Sequence, residues 1–424
     1  MTTGLLTDRY ELTMLSSFVA DGYADHPSVF ELFARHLPAG RRFGLLGGLG
    51  RLLDALETFT FDADELDWLV GVGSLTPEAA AWLRDFRFEG DIDAYAEADL
   101  YWPRSPILTL SGRLGECILL ETLALSILNH DTAVASAAAR MVTAANGRPI
   151  IEMGSRRTHE EAAVAVARAA YVAGFAGTSN LAAGRVYGVP TMGTAAHAFT
   201  LAHRSEEQAF AAQVKAQGVG TTLLVDTFDI EQGIRTAVAV AGTELGGIRI
   251  DSGDLEIESR RARNLLDTLG ATNTRIIVTG DLDEYVMTAL STAPIDGYGA
   301  GTRVATGSGH PTAGMVYKLV GVGDSVHGPV RPVAKLSAAK ESVGGRKVAW
   351  RWPDGREEFS VGGAVPAGAT PVQHRVVEAG RVVRRRTLDE LRVDAAAALS
   401  SLPPDARLVA DGAPAITCTQ RRPA

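Results

Sequence analysis

Short apolar runs recur along the chain from about residue 147, and segments with helical patterns, many rich in alanine, separate them. This alternation is typical of βα units and predicts a parallel sheet. The seven runs are Pro149–Met153, Ala173–Ala176, Pro190–Met192, Thr222–Val225, Ile248–Ile250, Ile276–Val278 and Ile295–Tyr298. The predicted helices between them include Glu160–Val172, Ser205–Gln217, Glu256–Leu269 and Leu282–Thr292.

The repeat divides the chain into three predicted domains. Residues 1–105 mix helical patterns with short strands, which predicts an N-terminal α/β domain. Residues 106–325 form the predicted catalytic domain, whose first layer is the apolar helix Leu114–Leu128 and the alanine-rich Thr132–Ala145. Residues 326–424 read as short strands with Gly and Pro turns, packing with the N-terminal domain. The tail after Leu408 is expected to be poorly ordered.

Composition excludes several classes of function. The 424 residues carry a net charge of −9, which argues against general binding to nucleic acid or to acidic membranes. We expect a cytoplasmic protein, because the N-terminal residues lack a signal-peptide pattern and no apolar run reaches the roughly 18 residues of a membrane span. The two cysteines, Cys117 and Cys418, are expected to be free thiols. The basic cluster 381–386 is expected to be a solvated face.

Polar and glycine residues follow each of the seven runs. In a βα barrel the carboxyl ends of the strands converge on one mouth, where catalytic groups lie. The sequence therefore predicts a site at this edge. The residues concerned are Gly154–Arg157, Gly177–Asn180, Gly193–His197, Asp226, Asp251–Asp254, Thr279–Asp281 and Gly299–Thr302.

Two glycine-containing turns late in the repeat are candidates for a phosphate site. Gly280 and the pair Gly301 and Thr302 leave backbone amides free to approach a ligand, and phosphate sites of barrels frequently form in such loops. Glycine also forms ordinary turns, so the two interpretations weigh equally. Neither turn has the spacing of a nucleotide-binding or dinucleotide-binding glycine loop.

Arg249 and Asp251 stand two residues apart at the end of one run. Strand alternation places them on the same side. In the barrel interior they would offer a cation for a carboxylated ring and a carboxylate for a ribose diol. The alternative is an internal salt bridge.

His197 is the candidate acid, base or nucleophile at the same mouth. Asp226 ends the next run and is expected to fix its tautomer, as an activated imidazole requires. His203 is the local competitor.

At this point the ordered motifs resemble those of nicotinate phosphoribosyltransferases. The resemblance covers roughly residues 5 to 320. It implies an irregular (β/α) barrel of about seven strands, like those of type II phosphoribosyltransferases, with an α/β domain built from both termini. The motifs are Thr7–Met14, Phe30–Phe33, Glu152–Arg157, Gly177–Asn180, Gly193–His197, Leu224–Asp229, Arg249–Leu255, Gly280–Asp283 and Val316–Leu319.

The resemblance also implies an activity in NAD salvage. Nicotinate and 5-phosphoribosyl 1-diphosphate would give nicotinate mononucleotide and pyrophosphate, driven by ATP hydrolysis through a phosphohistidine, with Mg²⁺ on the diphosphate. A homodimer is implied, with active sites at the interface.

The resemblance assigns a role to individual residues of this chain. His197 would be phosphorylated and Asp226 would orient it. Tyr10 would come from the neighbouring subunit and stack on the pyridine ring. The remaining roles fall to Arg157 and Arg249 for the carboxylate, Asp251 for the ribose, Gly280, Gly301 and Thr302 for the 5-phosphate, and Asp281 for magnesium.

Two features of the sequence depart from the pattern of the family, and two alternative functions stand beside this interpretation. Cys418 alone cannot build the zinc knuckle of some relatives, and residues 303–310 are unexpectedly rich in glycine and receive no role. Ser179 stands where a nicotinamide enzyme has an aspartate that would repel nicotinate. The alternatives are an enzyme for another pyridine, nicotinamide or quinolinate, and a non-catalytic barrel that binds a phosphorylated metabolite.

Overall fold

The chain forms two compact units in the computed structural model, which describes residues 2–335 and 342–421. Unit 1 comprises residues 1–136, 312–406 and 411–424, and unit 2 comprises residues 137–311 and 407–410. Both predicted domain boundaries, after residues 105 and 325, fall inside unit 1. Residues 106–136, expected in the catalytic domain, group with the two termini instead.

The first part of the chain supplies the helices and central strands of unit 1. The helical patterns of residues 1–105 form helices that begin at Arg9, Leu49 and Pro77. A further helix starts at Ala63, where the Asp62 and Glu65 side chains cap it reciprocally. The elements are α1 (Arg9–Ala20), β1 (Pro27–Ala34), β2 (Gly44–Leu45), α2 (Leu49–Glu57), α3 (Ala63–Gly71), α4 (Pro77–Leu83), β3 (Asp91–Tyr95), β4 (Leu100–Tyr101), β5 (Leu108–Arg113), α5 (Leu114–Ile118) and α6 (Glu121–Ala145).

Unit 2 consists of strands that alternate with helices. Its elements are β6 (Ile150–Glu152), α7 (Glu160–Ala173), β7 (Gly177–Thr178), α8 (Leu181–Tyr187), α9 (His197–Leu201), α10 (Glu206–Gln217), β8 (Thr222–Leu224), α11 (Ile230–Ala241), β9 (Gly247–Ile250), α12 (Leu255–Thr268), β10 (Arg275–Thr279), α13 (Glu284–Ala289), β11 (Gly297–Ala300) and α14 (Thr302–Ala305).

The last part of the chain returns to unit 1 and is mostly strand. Its elements are β12 (Met315–Gly323), β13 (Val330–Pro332), β14 (Lys347–Arg351), β15 (Glu357–Val361), β16 (Thr370–Pro371), β17 (Gln373–Glu378), β18 (Arg381–Val382), α15 (Leu388–Ser401), α16 (Pro404–Arg407) and β19 (Thr419–Gln420). Residues 336–341 lie outside the described residues. The sequence predicts a short strand over Val330–Leu336, and the last residue of this range lies outside the described residues too.

Unit 1 is organised around a seven-stranded antiparallel sheet in the order β13-β12-β1-β5-β3-β17-β18. Strands from the first part of the chain therefore form the centre of this sheet and strands from the last part flank them on both sides. Strand β1 pairs with β12 from Ser28 to Ala34. Apolar side chains on this sheet and on the helices around it form one buried cluster, in which the rings of Phe30 and Tyr317 stack 5.0 Å apart.

Unit 2 contains a parallel sheet of six strands in the order β7-β6-β11-β10-β9-β8. The first strand in the chain, β6, pairs with the last, β11. Side chains such as Val166, Leu223, Ile248 and Val278 are fully buried around the sheet. All carboxyl ends lie on one edge, since every pairing is parallel.

Three of the seven predicted strands lie elsewhere or are absent. The run 173–176 ends helix α7, and the strand follows at Gly177. The run 295–298 is likewise shifted, since β11 begins at Gly297. The run 190–192 contributes an isolated parallel bridge between Thr191 and Thr178. Glycines disfavour strands by propensity, yet here pairing with neighbouring strands outweighs that preference.

Polar caps fix where the helices at this edge begin. The side chains of Asn180, Asp229, Asp254 and Asp283 each accept a hydrogen bond from a backbone amide in the first turn of the following helix. Such caps satisfy amides that have no partner within the helix. Several polar residues at the strand ends therefore serve as helix caps.

The tail after Leu408 is expected to be poorly ordered, yet its described residues 411–421 form backbone hydrogen bonds within unit 1. The Ala415 amide donates to the Arg42 carbonyl at 2.8 Å, and β19 pairs in parallel with β15. Cys418 is 1% exposed, and its amide donates to the Pro103 carbonyl at 3.1 Å. Both cysteines are free and buried, as predicted.

One helical stretch, Leu114–Ala145, is long and apolar enough to cross a membrane by length and composition alone. Within its most apolar window, 67% of the residues are buried inside the protein. This burial is typical of a core helix.

A buried ion pair joins the central strand β1 to the C-terminal strand β14 within unit 1. The Lys347 Nζ atom lies 2.6 Å and 2.5 Å from the two carboxylate oxygens of Glu31. Both side chains are at most 4% exposed. Removing one partner of a buried pair leaves an uncompensated charge in a low-dielectric interior.

We therefore expect Lys347→Met to lower the free energy of unfolding of unit 1 by about 3–5 kcal/mol. The double variant Glu31→Leu/Lys347→Met should recover most of this loss. Arg385→Ala, which breaks exposed pairs with Asp54 and Glu57, should lose at most about 1 kcal/mol. All five tryptophans belong to unit 1, so urea unfolding followed by their fluorescence measures this unit. A double variant no more stable than Lys347→Met would contradict the account.

Candidate active site

The carboxyl ends of the strands in unit 2 surround a cavity of about 520 Å³. Eight of the residues predicted for the site line it: Arg157, Ser179, Arg249, Asp251, Gly280, Asp281, Gly301 and Thr302. His197 and Asp226 lie beside this wall, since Ala196 lines it and Asp226 bonds Asp251. Tyr10 belongs to unit 1.

Arg249 and Asp251 both line the cavity, as strand alternation predicts. The Arg249 Nη1 atom donates to the Thr194 hydroxyl at 2.6 Å, and its buried Nε atom has no hydrogen-bond partner among the described residues. Burial lowers the pKa of this guanidinium, while the Asp251 and Asp226 carboxylates act against the shift. Among the described residues, Arg249 therefore bonds Thr194 and forms no internal salt bridge with Asp251, and it keeps donors for an anion.

Asp251 links two adjacent strand ends. Its carboxylate accepts a hydrogen bond from the Thr279 hydroxyl at the end of β10. Its backbone amide donates to Asp226 Oδ2 at 2.8 Å, at the end of β8. The carboxylate is thus fixed at the cavity wall with oxygen lone pairs available to hydroxyl groups of a ligand.

The turn after β10 requires glycine at its first position. Gly280 has φ +109, and a Cβ there would lie 2.8 Å from the Asp251 carbonyl oxygen. The next residue, Asp281, has φ +36, a region that non-glycine residues rarely occupy. The turn thus brings backbone close to the cavity, with the Asp281 carboxylate in its wall.

The second glycine turn leads directly into a helix. Gly301 is the N-cap of the four-residue helix α14, and Thr302 begins it. Both residues line the cavity together with Gly299. A Cβ on Gly299 would lie 2.5 Å from the Thr279 Cγ2 atom, so this close packing of β10 and β11 requires glycine.

The part of the cavity wall that follows strands β6 and β7 is cationic and polar. Arg156 and Arg157 follow β6, and both are exposed. Ser179 follows β7 and is exposed too, while its amide donates to the Glu152 carbonyl at 2.8 Å. Together with Arg249, three guanidinium groups line one cavity in a chain of net charge −9.

Glu152 received no role from the sequence. Its side chain is buried and accepts hydrogen bonds from the Gly154 amide and the Thr178 hydroxyl. Burial raises the pKa of this carboxyl, and both hydrogen bonds act in the opposite direction. Glu152 fixes the β6 turn that carries Arg156 and Arg157. A charged residue inside an apolar strand was the only sequence signal for it.

His197 begins α9, and its ring faces Asp226. The His197 Nε2 atom is 3.9 Å from Asp226 Oδ1, and its Nδ1 atom is 3.2 Å from the Thr227 hydroxyl. The Asp226 side chain is 1% exposed. Its Oδ2 atom accepts bonds from Asp251 and Ser252, whereas the buried Oδ1 atom has no hydrogen-bond partner in the described structure.

The competitor His203 is engaged elsewhere. Its Nδ1 atom lies 2.7 Å from the Phe199 carbonyl oxygen, and its ring is 4.7 Å from that of Phe199. Of these two histidines, only His197 therefore has a carboxylate placed to orient its imidazole.

Tyr10 lies in the first turn of α1 in unit 1 and is 44% exposed. The next residue, Glu11, is fully buried, and it accepts bonds from the amide of Thr122 at 2.9 Å and from the hydroxyl of the same residue. Burial raises the pKa of Glu11 to about 7. Glu11 anchors the helix while the Tyr10 ring remains accessible.

Within residues 2–335 and 342–421, no group of three or more His, Cys, Asp or Glu side chains is placed to hold a metal ion. Asp251 and Asp281 both line the cavity. Mg²⁺ commonly binds through one or two carboxylates together with substrate phosphates. These two carboxylates meet that requirement.

Two family models match the chain. Residues 5–129 match the nicotinate phosphoribosyltransferase (NAPRTase) N-terminal domain, and residues 149–291 match the NAPRTase family. A nicotinate phosphoribosyltransferase of Mycobacterium tuberculosis (strain ATCC 25618 / H37Rv) is 57% identical over 97% of this chain and 94% of its own length. That of Bacillus subtilis (strain 168) is 36% identical over 82% and 72%.

Solved structures agree with these matches. Human nicotinic acid phosphoribosyltransferase superposes with a TM-score of 0.82 at 25% identity, over 97% of both chains. A nicotinate-nucleotide pyrophosphorylase from Pyrococcus furiosus shares the fold, with a TM-score of 0.77 at 21% identity over 94% and 95%. By sequence and by fold, the chain belongs to the nicotinate phosphoribosyltransferase family.

Proposed function

We propose that this protein joins nicotinate to 5-phosphoribosyl 1-diphosphate and releases nicotinate mononucleotide and pyrophosphate. The observation that carries the proposal is one cavity lined by Arg157, Arg249 and Ser179 together with two glycine turns. The first group suits a pyridine carboxylate and the second suits phosphate. We further propose that the six-stranded sheet and the bridge at Thr191 curve into the irregular barrel, and that the protein acts in the cytoplasm.

Each end of the substrates has its own set of residues in this proposal. Arg157, Arg249 and Ser179 hold the nicotinate carboxylate. Asp251 accepts hydrogen bonds from the ribose hydroxyls. The backbone amides at Gly280, Gly301 and Thr302 hold the 5-phosphate. The pyridine nitrogen then attacks C1 of the ribose as the C1–O bond to the diphosphate breaks.

Asp281 and Asp251 would hold Mg²⁺ at the diphosphate. When bound, the ion would supply the positive charge that shields the negative charge developing on the leaving group.

ATP would enter the cycle through His197. Asp226 would orient the ring and keep the proton on Nε2, because its unpartnered Oδ1 atom faces that nitrogen at 3.9 Å, a gap that the ring must close to form the hydrogen bond. The Nδ1 lone pair attacks the terminal phosphorus of ATP, and the bond to the ADP oxygen breaks. Hydrolysis of this phosphohistidine is then coupled to release of the products.

The proposed homodimer places Tyr10 of one subunit in the cavity of the other. Large apolar side chains are exposed in segments that follow the carboxyl ends of the unit 2 strands, as expected where a subunit would cover the cavity mouth. They include Leu181, Leu201, Phe228 and Ile257, which are 47–77% exposed.

We expect nicotinate to be used far better than nicotinamide, because the guanidinium donors match a carboxylate. Arg249→Ala should lose about 1.5–3 kcal/mol of nicotinate binding, about a 10- to 150-fold rise in KM. Steady-state kinetics with both pyridines measures this. Arg235→Ala on the outer face of α11, where Arg235 pairs with Glu231 at 2.8 Å, is the matched control. Equal use of the two pyridines by the wild type would refute the carboxylate assignment.

Tyr10 should act across the subunit boundary. Equal mixing of Tyr10→Ala and His197→Ala subunits should restore about a quarter of native activity, because half of the dimers are mixed and each has one intact site. Tyr23→Ala, at a tyrosine that is 43% exposed in the same unit, should keep activity without mixing. If verified mixed dimers stay inactive, both residues serve the site of one chain.

ATP labelled on its terminal phosphate should leave an acid-labile, base-stable label on the wild type. His197→Ala should carry no label and lose stimulation by ATP, while it keeps a slow ATP-independent reaction through the intact binding groups. His203→Ala should be labelled normally, since its ring is held by Phe199. A label on His197→Ala would move the assignment to another residue.

A further inference from the structure

The segment after α14 holds a serine in a backbone conformation that serine does not favour. Gly307, Ser308 and Gly309 all have positive φ, with values of 61°, 51° and 86°. Glycine adopts this conformation freely, but a serine does so at a cost in free energy. An interaction must therefore hold Ser308 in place.

A buried carboxylate supplies that interaction. The Ser308 hydroxyl donates to Glu284 Oε2 at 2.8 Å, and Arg140 Nε donates to Glu284 Oε1 at 2.9 Å. The Glu284 and Arg140 side chains are 1% and 2% exposed. Arg140 also donates to the Tyr285 hydroxyl at 3.1 Å. The charge of Glu284 is thus neutralised inside unit 2, and its second oxygen binds the serine.

Glu284 and Ser308 belong to the two segments that carry the proposed phosphate turns. Glu284 is the first residue of α13 and lies three residues after Asp281. Ser308 lies six residues after Thr302, beyond the short helix α14. The strands before these segments, β10 and β11, are parallel neighbours. The hydrogen bond therefore ties one turn of the cavity to the other.

We propose that Ser308 and Glu284 are positioning residues that set the spacing of the Gly280–Asp281 turn and the Gly301–Thr302 turn, and thereby the affinity for 5-phosphoribosyl 1-diphosphate. The inference rests on the proposed role of both turns in binding phosphate. Amide donors on two turns hold one phosphate only at the correct separation. Misplacement by about 1 Å can cost about 100-fold in activity.

The test compares Ser308→Gly with Ser308→Ala in the full-length enzyme. Both variants remove the hydroxyl, but glycine also accepts the positive φ without strain. We expect both to raise KM for 5-phosphoribosyl 1-diphosphate about tenfold, within the range that such misplacement allows. Both should weaken its binding measured by calorimetry to the same extent. KM for nicotinate should stay within about twofold.

Thr306→Ala is the matched control. Its hydroxyl donates to the Thr302 carbonyl at 2.9 Å within the same segment and not to Glu284. This variant should keep wild-type constants. Wild-type binding in Ser308→Gly would overturn the proposal and limit Ser308 to a backbone role, and so would equal rises in both KM values.

Gly280→Ala separates this inference from the proposed function, because a Cβ at this position would lie 2.8 Å from the Asp251 carbonyl oxygen and would displace the turn whose amide holds the 5-phosphate. If Gly280→Ala raises KM for 5-phosphoribosyl 1-diphosphate while the Ser308 variants do not, only the positioning role fails. If Gly280→Ala and both Ser308 variants leave this KM unchanged, the phosphate assignment of the turns fails as well, and the inference falls with it.

Discussion

Carboxylates, most of them buried, tie together the segments at the carboxyl ends of the parallel strands in unit 2. Regular strand pairing ends there, so each turn needs another partner to keep its place. Glu152 binds the Thr178 hydroxyl across β6 and β7, and Asp226 binds the Asp251 amide across β8 and β9. Asp251 binds the Thr279 hydroxyl across β9 and β10, and Glu284 binds Ser308 beyond β10 and β11. The geometry of the cavity depends on these four links.

The same links explain how an acidic chain can present a cationic cavity. Three of the carboxylates, Glu152, Asp226 and Glu284, are buried and accept hydrogen bonds from protein groups. The cavity wall carries the guanidinium groups of Arg156, Arg157 and Arg249. Because these acids are buried below the wall while arginines line it, the local electrostatic field suits two anionic substrates. This holds although the net charge of the whole chain is negative.

Local pattern was enough to predict many of the residues that line the cavity. Arg249 and Asp251 line the same cavity because side chains two residues apart in a strand point to the same side. The glycine turns follow β10 and β11 as expected. Long-range contacts were not accessible in this way. The Glu284–Ser308 bond joins residues 24 positions apart, and nothing local marks it. The strand at Gly177 was predicted too early in the chain, at residues 173–176, because glycine has a low strand propensity. Only pairing with neighbouring strands stabilises this strand. In the main sheet of unit 1, strands from the last part of the chain flank those from the first part, so pattern alone could not locate the boundary of this unit.

The central claim is that one cavity at the strand ends holds both the pyridine acid and the phosphate. A crystal structure with nicotinate mononucleotide tests it most directly. We expect the 5-phosphate within hydrogen-bond distance of the amides at Gly280, Gly301 or Thr302, and the carboxylate beside Arg249 and Ser179. A product bound with these ends exchanged, or outside this cavity, would contradict the account.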